Sequence, residues 1–466
     1  MPEKYHITTK PVHPRRPRIG KFGIVDWRED CARCHNCVKK ACVYDRYREE
    51  MTYIRNLDSL ETLFFDCMGC FSCVQECTKN LLSLSINPMF QNLGNSYWTP
   101  EIIQATWLQA ETAKIPVSGA GYGGKFSGPG FDSMWTDMSE IVRPTRDGIH
   151  GREYISTAVD IGKKPPFLKF IKEGIGSVLP PLISVPMPLI IDMMPSKYSL
   201  PVLEGILIET AIKTGLIAIV DAKKWPIAGV DADAALPHIA FFFRDPAELL
   251  PKEILRKTRL VEIQDSPDIK NFIAEIKNID SGLIVAVRVE LTSECPGRVI
   301  ELQNEGVEVI HVTADLNGNE TGSTKPRFIK DMVREIHTSF VKKGVRDEVT
   351  LIAGGGIALP EHVVKEVICG ADLVSVELPL LIGLECHLCS VCGEGHQCPA
   401  KINEVTPEYG VGRMTNLIAA WHDQIVEMMG AMGMRDARRL RGDVGRAMFF
   451  EQLEEESFGK LFGKRL

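Results

Sequence analysis

From about residue 183 the chain becomes an alternation of short apolar runs and amphipathic segments, and no other feature restricts its fold as strongly. The apolar runs are Pro188–Ile191, Leu216–Val220, His238–Phe242, Leu260–Ile263, Leu283–Val289, Val307–Val312, Val349–Ile352 and Leu373–Val376. Continuous apolar runs of this length read as strands buried on both faces. Helical spacing of apolar residues lies between most of them, over Val202–Lys213, Ala247–Arg256, Ile269–Lys277, Pro296–Asn304, Arg327–Val341 and Pro360–Ile368. Eight strands alternating with helices predict an α/β fold, a (β/α)8 barrel of TIM type. An open doubly wound sheet is the alternative, because periodicity does not report closure.

In such a barrel the chemistry sits on the loops that follow the strands. The seventh strand is followed by Ala353-Gly354-Gly355-Gly356 leading into a helix, and the eighth by Glu377-Leu378-Pro379. Glycines there let backbone N–H groups approach a phosphate, which a helix N-terminus also favours. The plain alternative is a turn.

Fourteen cysteines are the second constraint. Twelve fall into three tight groups and only Cys295 and Cys369 stand apart, a distribution that suits metal clusters and not a disulfide framework. The expectation is a reducing, cytoplasmic protein. One group, Cys386-x2-Cys389-x2-Cys392-x5-Cys398-Pro399, directly follows the last strand. Soft thiolates select iron-sulfur clusters, zinc or Cu(I), and two-residue gaps with a trailing Cys-Pro favour iron-sulfur over tetrahedral zinc. The other two groups, Cys31-x2-Cys34-x2-Cys37-x4-Cys42 and Cys67-x2-Cys70-x2-Cys73-x3-Cys77, form an internal repeat. That repeat resembles a bacterial two-cluster ferredoxin. The resemblance implies that Cys31, Cys34, Cys37 and Cys77 hold one [4Fe-4S] cluster and Cys67, Cys70, Cys73 and Cys42 a second. Two zinc sites are the alternative.

A chain of 466 residues with a formal charge of -7 has room for several domains and no basic footprint for nucleic acid. The N-terminus shows no secretory signal, and the most apolar stretch, Val178 to Met194, is interrupted by four prolines and Asp192, so no membrane span is expected. Four segments are expected: a ferredoxin-like domain with a basic arm over 1–90, a connecting segment over 91–180, the barrel over 181–385, and the third cysteine group with a C-terminal helical region over 386–466. The basic arm reads as an extended tail on its own protein or on a partner. The glycine-rich run from Lys114 to Asp132 reads as a wrapping loop, and Val411 to Met429 as a helix packed on the barrel.

The run from Val312 to Pro326, the segment His337 to Asp347, the glycines Gly354 to Gly356 and the cysteine loop together resemble the FMN-binding synthase domain of glutamate synthase. With the N-terminal cysteine repeat, the resemblance is to the archaeal type. It implies FMN at the barrel mouth, with Gly354, Gly355 and Gly356 on its phosphate and Arg288 near the flavin N1 and O2. Met193 and Met194 would pack near the flavin, with Thr313, Asp315 and Asn317 lining the same mouth. A structural ion pair is the alternative for Arg288, and core packing for the methionines.

This chain departs from that family after strand two, where Asp221-Ala-Lys-Lys-Trp225 replaces a glycine-rich segment, and after strand six, where Asp315 to Gly322 differs. Family members hold a [3Fe-4S] cluster on three cysteines; Cys389 is an additional thiolate that implies a third [4Fe-4S] cluster. The expected function is an iron-sulfur flavoprotein oxidoreductase passing electrons between clusters and FMN and reducing a 2-imino acid, with 2-oxoglutarate and ammonia giving glutamate. The alternative is an electron-transfer subunit of a larger redox complex. Ferredoxin or other redox subunits are the expected electron partners.

Overall fold

The computed structural model describes residues 5–16, 19–23, 72–80, 85–115, 130–136, 154–164, 170–172, 174–175, 180–389, 392, 398–459, 461 and 463. It divides into two compact units, one made of Met1–Val12, Thr106–Leu384 and Lys401–Leu466, the other of His13–Ala105 and Glu385–Ala400. The segment 386–466 is thus shared between units, its cysteine loop in the second and its helix in the first.

The first unit is built on a closed barrel of eight parallel strands. They are β1 (Leu189–Ile191), β2 (Ala218–Asp221), β3 (Ile239–Phe243), β4 (Leu260–Gln264), β5 (Ile284–Glu290), β6 (Val309–Thr313), β7 (Thr350–Gly354) and β8 (Leu373–Val376). Each lies within two residues of its sequence expectation, and β8 closes on β1 through Val376 beside Ile191. Closure settles the choice against an open sheet. It also explains the unbroken apolar runs, since a barrel strand meets side chains inside and helices outside. All five residues of β3, including Phe241 and Phe243, are buried.

The helices α1 (Pro201–Thr214), α2 (Ile269–Ile279), α3 (Cys295–Asn304), α4 (Ile329–Lys343) and α5 (Pro360–Cys369) follow β1, β4, β5, β6 and β7. Proline opens α1 and α5, where its missing N–H costs nothing, and Gly215 and Gly344 end α1 and α4 in the left-handed conformation. The expected helix Ala247–Arg256 does not form as one piece. Pro251 lacks the N–H a continuous helix needs, so the segment splits into a short turn at Pro246–Glu248 and a single helical turn at Lys252–Leu255.

Helix α6 (Pro407–Ala431) is capped by Thr406 and packs on α1 and α5. It also holds the N-terminal arm: Asn416 Nδ2 donates to the carbonyls of Lys10 (2.8 Å) and Ala110 (3.0 Å), and the buried Arg413 donates to Gly383 O (2.5 Å) and Val12 O (3.2 Å). The described arm residues of this unit therefore lie on their own protein, as the sequence suggests.

The connecting segment contributes Phe131 and Met134, both fully buried, and strand Met134–Thr136, which pairs with Ala447–Phe449. Lys365 of α5 donates to Phe131 O (2.9 Å), and His362 packs its ring 4.5 Å from that of Phe131. Such cover leaves every residue of α5 buried, including Glu361, His362, Lys365 and Glu366. Upstream of β1, Val159–Ile161 pairs with Ile183–Val185, and Thr350 of β7 exchanges hydrogen bonds with both backbone groups of Gly162.

In the second unit Phe22–Gly23 pairs with Ser85–Ile86. The cysteine loop is braced within it: Gly94 N–H donates to His387 O (2.9 Å), and Arg15 bonds Glu385 through its backbone N–H (2.9 Å) and Ala400 O through its guanidinium (2.8 Å). Cys31, Cys34, Cys37, Cys42, Cys67 and Cys70 lie outside the described residues, as does the side chain of Cys73. The ferredoxin-like expectation rests on those positions and stays an expectation.

Candidate functional site at the barrel mouth

Parallel barrel strands end at a common face, and every barrel residue singled out from the sequence lies at that end. Met193 and Met194 follow β1, Arg288 is near the end of β5, Thr313 closes β6, Asp315 and Asn317 are in the next loop, and Gly354 to Gly356 close β7.

Arg288 is not a free cation. Its Nη2 lies 2.5 Å from Asp192 Oδ1, which follows β1, and its Nε donates to Glu262 Oε1 on β4. The guanidinium also lies 5.2 Å from the ring centre of Phe242. The two carboxylates extend the pair into a closed ring. Glu262 Oε1 lies 3.1 Å from His311 Nδ1 on β6, His311 Nε2 lies 2.9 Å from Ser375 Oγ on β8, and Ser375 Oγ donates to Asp192 Oδ2 (3.1 Å). Five side chains from five strands or strand ends thus close on themselves inside the barrel, with Glu262, His311 and Ser375 essentially inaccessible to solvent.

His311 reaches Glu262 Oε1 through Nδ1 and Ser375 Oγ through Nε2, and Ser375 gives its one proton to Asp192. Burial by itself would raise the Glu262 carboxyl, but Arg288 and His311 outweigh it and hold Glu262 down at about 2. Burial likewise works against the charge on Arg288, yet Asp192 and Glu262 raise its pKa above the ordinary arginine value.

Glycine is required where the ring passes β7. A Cβ on Gly354 would lie 2.2 Å from Ser375 Oγ and 2.9 Å from His311 Nε2, in the path of their hydrogen bond. Gly355 and Gly356 have φ of +93° and +70°, and a Cβ there would meet the backbone of the β6 loop, 2.6 Å from Asp315 O and 2.4 Å from Gly318. The turn and that loop are therefore packed backbone to backbone. Asp315 folds the loop by accepting from Asn317 N–H (2.9 Å) and Asn319 N–H (2.7 Å). Asn317 keeps a buried side-chain oxygen with no hydrogen-bond partner. Met194 is buried, Met193 is half-buried with its N–H on Asp192 Oδ1 (2.8 Å), and Thr313 is half-buried.

Glu377 stands next to Asp192 across the β8–β1 seam, where Asp192 N–H donates to Val376 O (2.9 Å). Burial, and then the Asp192 carboxylate, push Glu377 up to about 8. The departing loop after β2 is also paired: Lys224 bonds Glu204 of α1 and Ser199 Oγ, Lys223 lies 2.9 Å from Glu248, and Arg244 bonds Asp221 (2.8 Å).

Glu262, His311, Ser375, Asp192 and Glu377 escaped the residue-by-residue reading of the sequence as a site. The signal was present in Leu-Val-Glu-Ile, Val-Ile-His-Val and Leu-Val-Ser-Val. A polar residue inside a strand buried on both faces needs a partner, and three such strands in one barrel can supply each other.

In the second unit, Cys386 is buried and Cys389, Cys392 and Cys398 are half-buried. Burial raises the Cys386 thiol to about 12; the Leu388 N–H on its sulfur (3.4 Å) opposes that, and Cys392, Cys389 and Cys398 add to it. The four sulfurs are thus within electrostatic reach of one another. Among the described residues no three Cys, His, Asp or Glu side chains are gathered tightly enough for a single metal ion.

The conserved region in glutamate synthase is matched by residues 252–435, from the helical turn before β4 through α6. The archaeal-type glutamate synthase [NADPH] of Dehalococcoides mccartyi is 24% identical over 90% of this chain and 93% of its own length. The archaeal glutamate synthase [NADPH] of Archaeoglobus fulgidus is 25% identical over 90% of this chain and 92% of its own. Among solved structures, the flavin-binding domain of baker's yeast flavocytochrome b2 is similar over 80% of this chain and 93% of its own, with a TM-score of 0.41 and 13% identity. The conserved region in the barrel and the relatives matched along nearly its whole length make the chain similar to glutamate synthases and support an FMN-dependent oxidoreductase.

Proposed function

We propose that the barrel mouth holds FMN and that the protein passes electrons between [4Fe-4S] clusters and this flavin to reduce a 2-imino acid, with 2-oxoglutarate and ammonia giving glutamate. The observation that carries the reading is the mouth itself: a fixed polar ring, a glycine turn at the start of α5 and an unpartnered Asn317 oxygen converge at the C-terminal ends of the strands. When bound, FMN would link one-electron carriers to hydride transfer.

The residues present fit such a group. The turn Gly354–Gly356 brings backbone close to the helix N-terminus where a phosphate is favoured, and the Asn317 oxygen would accept from a ligand hydroxyl. Arg288 would face the ligand from a position fixed by Asp192 and Glu262, so no side-chain reorganisation is needed when charge develops. Met193 and Met194 would supply apolar packing, and Thr313 and Asp315 the wall on the β6 side. Cys386, Cys389, Cys392 and Cys398 would hold a third [4Fe-4S] cluster, and the eight N-terminal cysteines the other two.

The test is anaerobic purification followed by flavin and iron analysis, then an assay for glutamate from 2-oxoglutarate and ammonium with reduced ferredoxin. Flavin content near one per chain with glutamate formed is expected; a chain that binds no flavin when reconstituted with FMN would sink the reading. A second reading has its own support. Lys223, Lys224 and Arg244, the cations at the ends of β2 and β3, are each matched to a carboxylate of the protein, which leaves those loops poorly equipped for a dicarboxylic acid. Intact, reducible flavin without glutamate would favour an electron-transfer subunit working with other redox subunits. Among the described residues no helix is long and apolar enough to cross a membrane, and a cytoplasmic location is part of the proposal.

A further inference from the structure

Asp192 and Glu377 each lie one residue beyond the paired Ile191 and Val376 at the mouth, within electrostatic reach, and their surroundings treat them oppositely. Asp192 accepts from Arg288 Nη2 (2.5 Å), Ser375 Oγ (3.1 Å) and the Met193 N–H (2.8 Å). Three donors thus converge on it. Glu377 is the next residue along the neighbouring strand end, buried and outside the ring. Among the described residues it makes no ion pair of its own, and Arg288 is already bonded to Asp192 and Glu262. Two like charges at such a seam cannot both be supported, and the ring has assigned the negative one to Asp192.

Resting on the reading of the mouth as a reductive site, we propose that Glu377 is the proton donor of the reaction, and that Asp192, locked by Arg288, Ser375 and Met193, is the fixed anion that keeps the proton on Glu377. Reduction of a carbon–nitrogen double bond needs a hydride at carbon and a proton at nitrogen. FMN, when bound and reduced, would supply the hydride for the C–H bond; as the π pair moves to nitrogen, the Glu377 O–H bond would break and its proton would form the N–H bond. Glu377 is left as a carboxylate beside Asp192, an arrangement the site disfavours, so it recovers a proton from solvent before the next turnover. Environments that drive neighbouring carboxyls apart are how acid and fixed anion are assigned within one site. The elevated pKa of Glu377, about 8, agrees with the geometry. The charged groups facing it are Asp192 and Arg288, with Glu262 and His311 behind them in the ring.

The test uses the full protein and the variants Glu377→Gln, Glu377→Asp and Asp192→Asn. Infrared spectra of resting protein come first, because they need neither flavin nor substrate. At pH 7 the difference between wild type and Glu377→Gln should contain a protonated-carboxyl band that vanishes as the pH rises through about 8, and that titrates at lower pH in Asp192→Asn. No such band at neutral pH overturns the proposal, whatever the flavin content. With 2-oxoglutarate and ammonium as the probe, Glu377→Gln should retain its flavin yet turn over about 100-fold more slowly or worse, the usual scale for losing a proton donor. Glu377→Asp should be intermediate and retain the alkaline limb of the pH profile. A flavin-loaded Glu377→Gln protein with unchanged rate and pH profile also overturns it. Wild type without flavin would instead reject the reading of the mouth, and the infrared result would then decide the carboxyl pair alone.

Discussion

Arg288 Nη2 and Asp192 Oδ1 meet at 2.5 Å inside the barrel although 96 residues separate them in the chain. Strand β5 and the end of β1 lie on different sides of the barrel, so this contact, with Arg288 to Glu262, ties opposite walls together.

Removing Arg288 is therefore expected to cost more than an ordinary surface charge. Arg288→Met leaves Asp192 and Glu262 buried and uncompensated, and breaking a buried pair from one side costs about 3–5 kcal/mol. Arg288→Met combined with Glu262→Gln should recover part of that loss, since one of the stranded carboxylates goes too. Urea unfolding of the two single variants and the double variant measures the coupling; strict additivity would show that the ring does not act as a unit.

The glycine turn gives a graded series. Gly354→Ala places a methyl on the His311–Ser375 hydrogen bond, where a side chain must give way. In Gly356→Ala the obstacle is the Gly318 backbone at 2.4 Å and the φ is +70°, so neither neighbour nor chain can relax cheaply. Gly356→Ala should lower Tm further than Gly354→Ala and lose more bound flavin, and combining Gly354→Ala with Ser375→Gly should restore part of the stability lost at Gly354. Thermal melts with flavin absorbance on the same samples check the order.

The barrel was legible because closure demands what the sequence displays: eight apolar runs at regular spacing, each buried on both faces. The ring was hidden because it is made by strands far apart in sequence, and one polar residue in an apolar run looks like noise until register places Arg288 beside His311 and Ser375 beside Gly354. Gly354, Gly355 and Gly356 were recognised as special, yet their backbone contacts with Gly318 and Asp315 depend on a loop path that periodicity does not carry. Pro251 was a local signal outweighed by the apolar spacing around it, and the chain followed the proline.

Stability should fall most steeply between about pH 6.5 and about pH 8, where the raised carboxyls alone respond. On the alkaline side, burial raises Glu361, Glu366 and Glu377 from 4.5 to about 8. A folded pKa above the unfolded one means that this stabilisation is complete below about pH 4.5 and is lost between there and about pH 8. Lys365, lowered by burial to about 8, works the other way above that pH and offsets one of the three. On the acid side, burial lowers His337 to about 4, with Arg346 adding to it, and lowers His362 to about 3. Unfolded imidazoles gain protons near pH 6.5 and the folded ones do not, so below that pH the two histidines offset most of the gain from the three carboxyls. Glu262 adds a further loss below about pH 4.5. Glu366→Gln, at a site where both carboxyl oxygens are buried without a partner, should flatten the alkaline fall in a Tm-against-pH series.

In the proposed reading, Cys389 sets the nature of the third cluster. The buried Cys386 thiol, raised to about 12, would stay protonated alone at neutral pH, so its use as a ligand requires that metal displace the proton. Cys392 and Cys398 stand in the same electrostatic neighbourhood, and three thiolates suffice for a [3Fe-4S] cluster. Cys389 is the fourth, half-buried in a loop braced by Gly94 on His387 and by Arg15 on Glu385 and Ala400. Wild-type protein, oxidised anaerobically, is expected to show no [3Fe-4S] signal by EPR if, as proposed, the third cluster is [4Fe-4S]. Cys389→Ser should convert that cluster and produce the signal at about one spin per chain while leaving flavin content unchanged. A [3Fe-4S] signal of that size already in fresh wild-type protein, insensitive to Cys389→Ser, would mean that Cys389 is not a ligand.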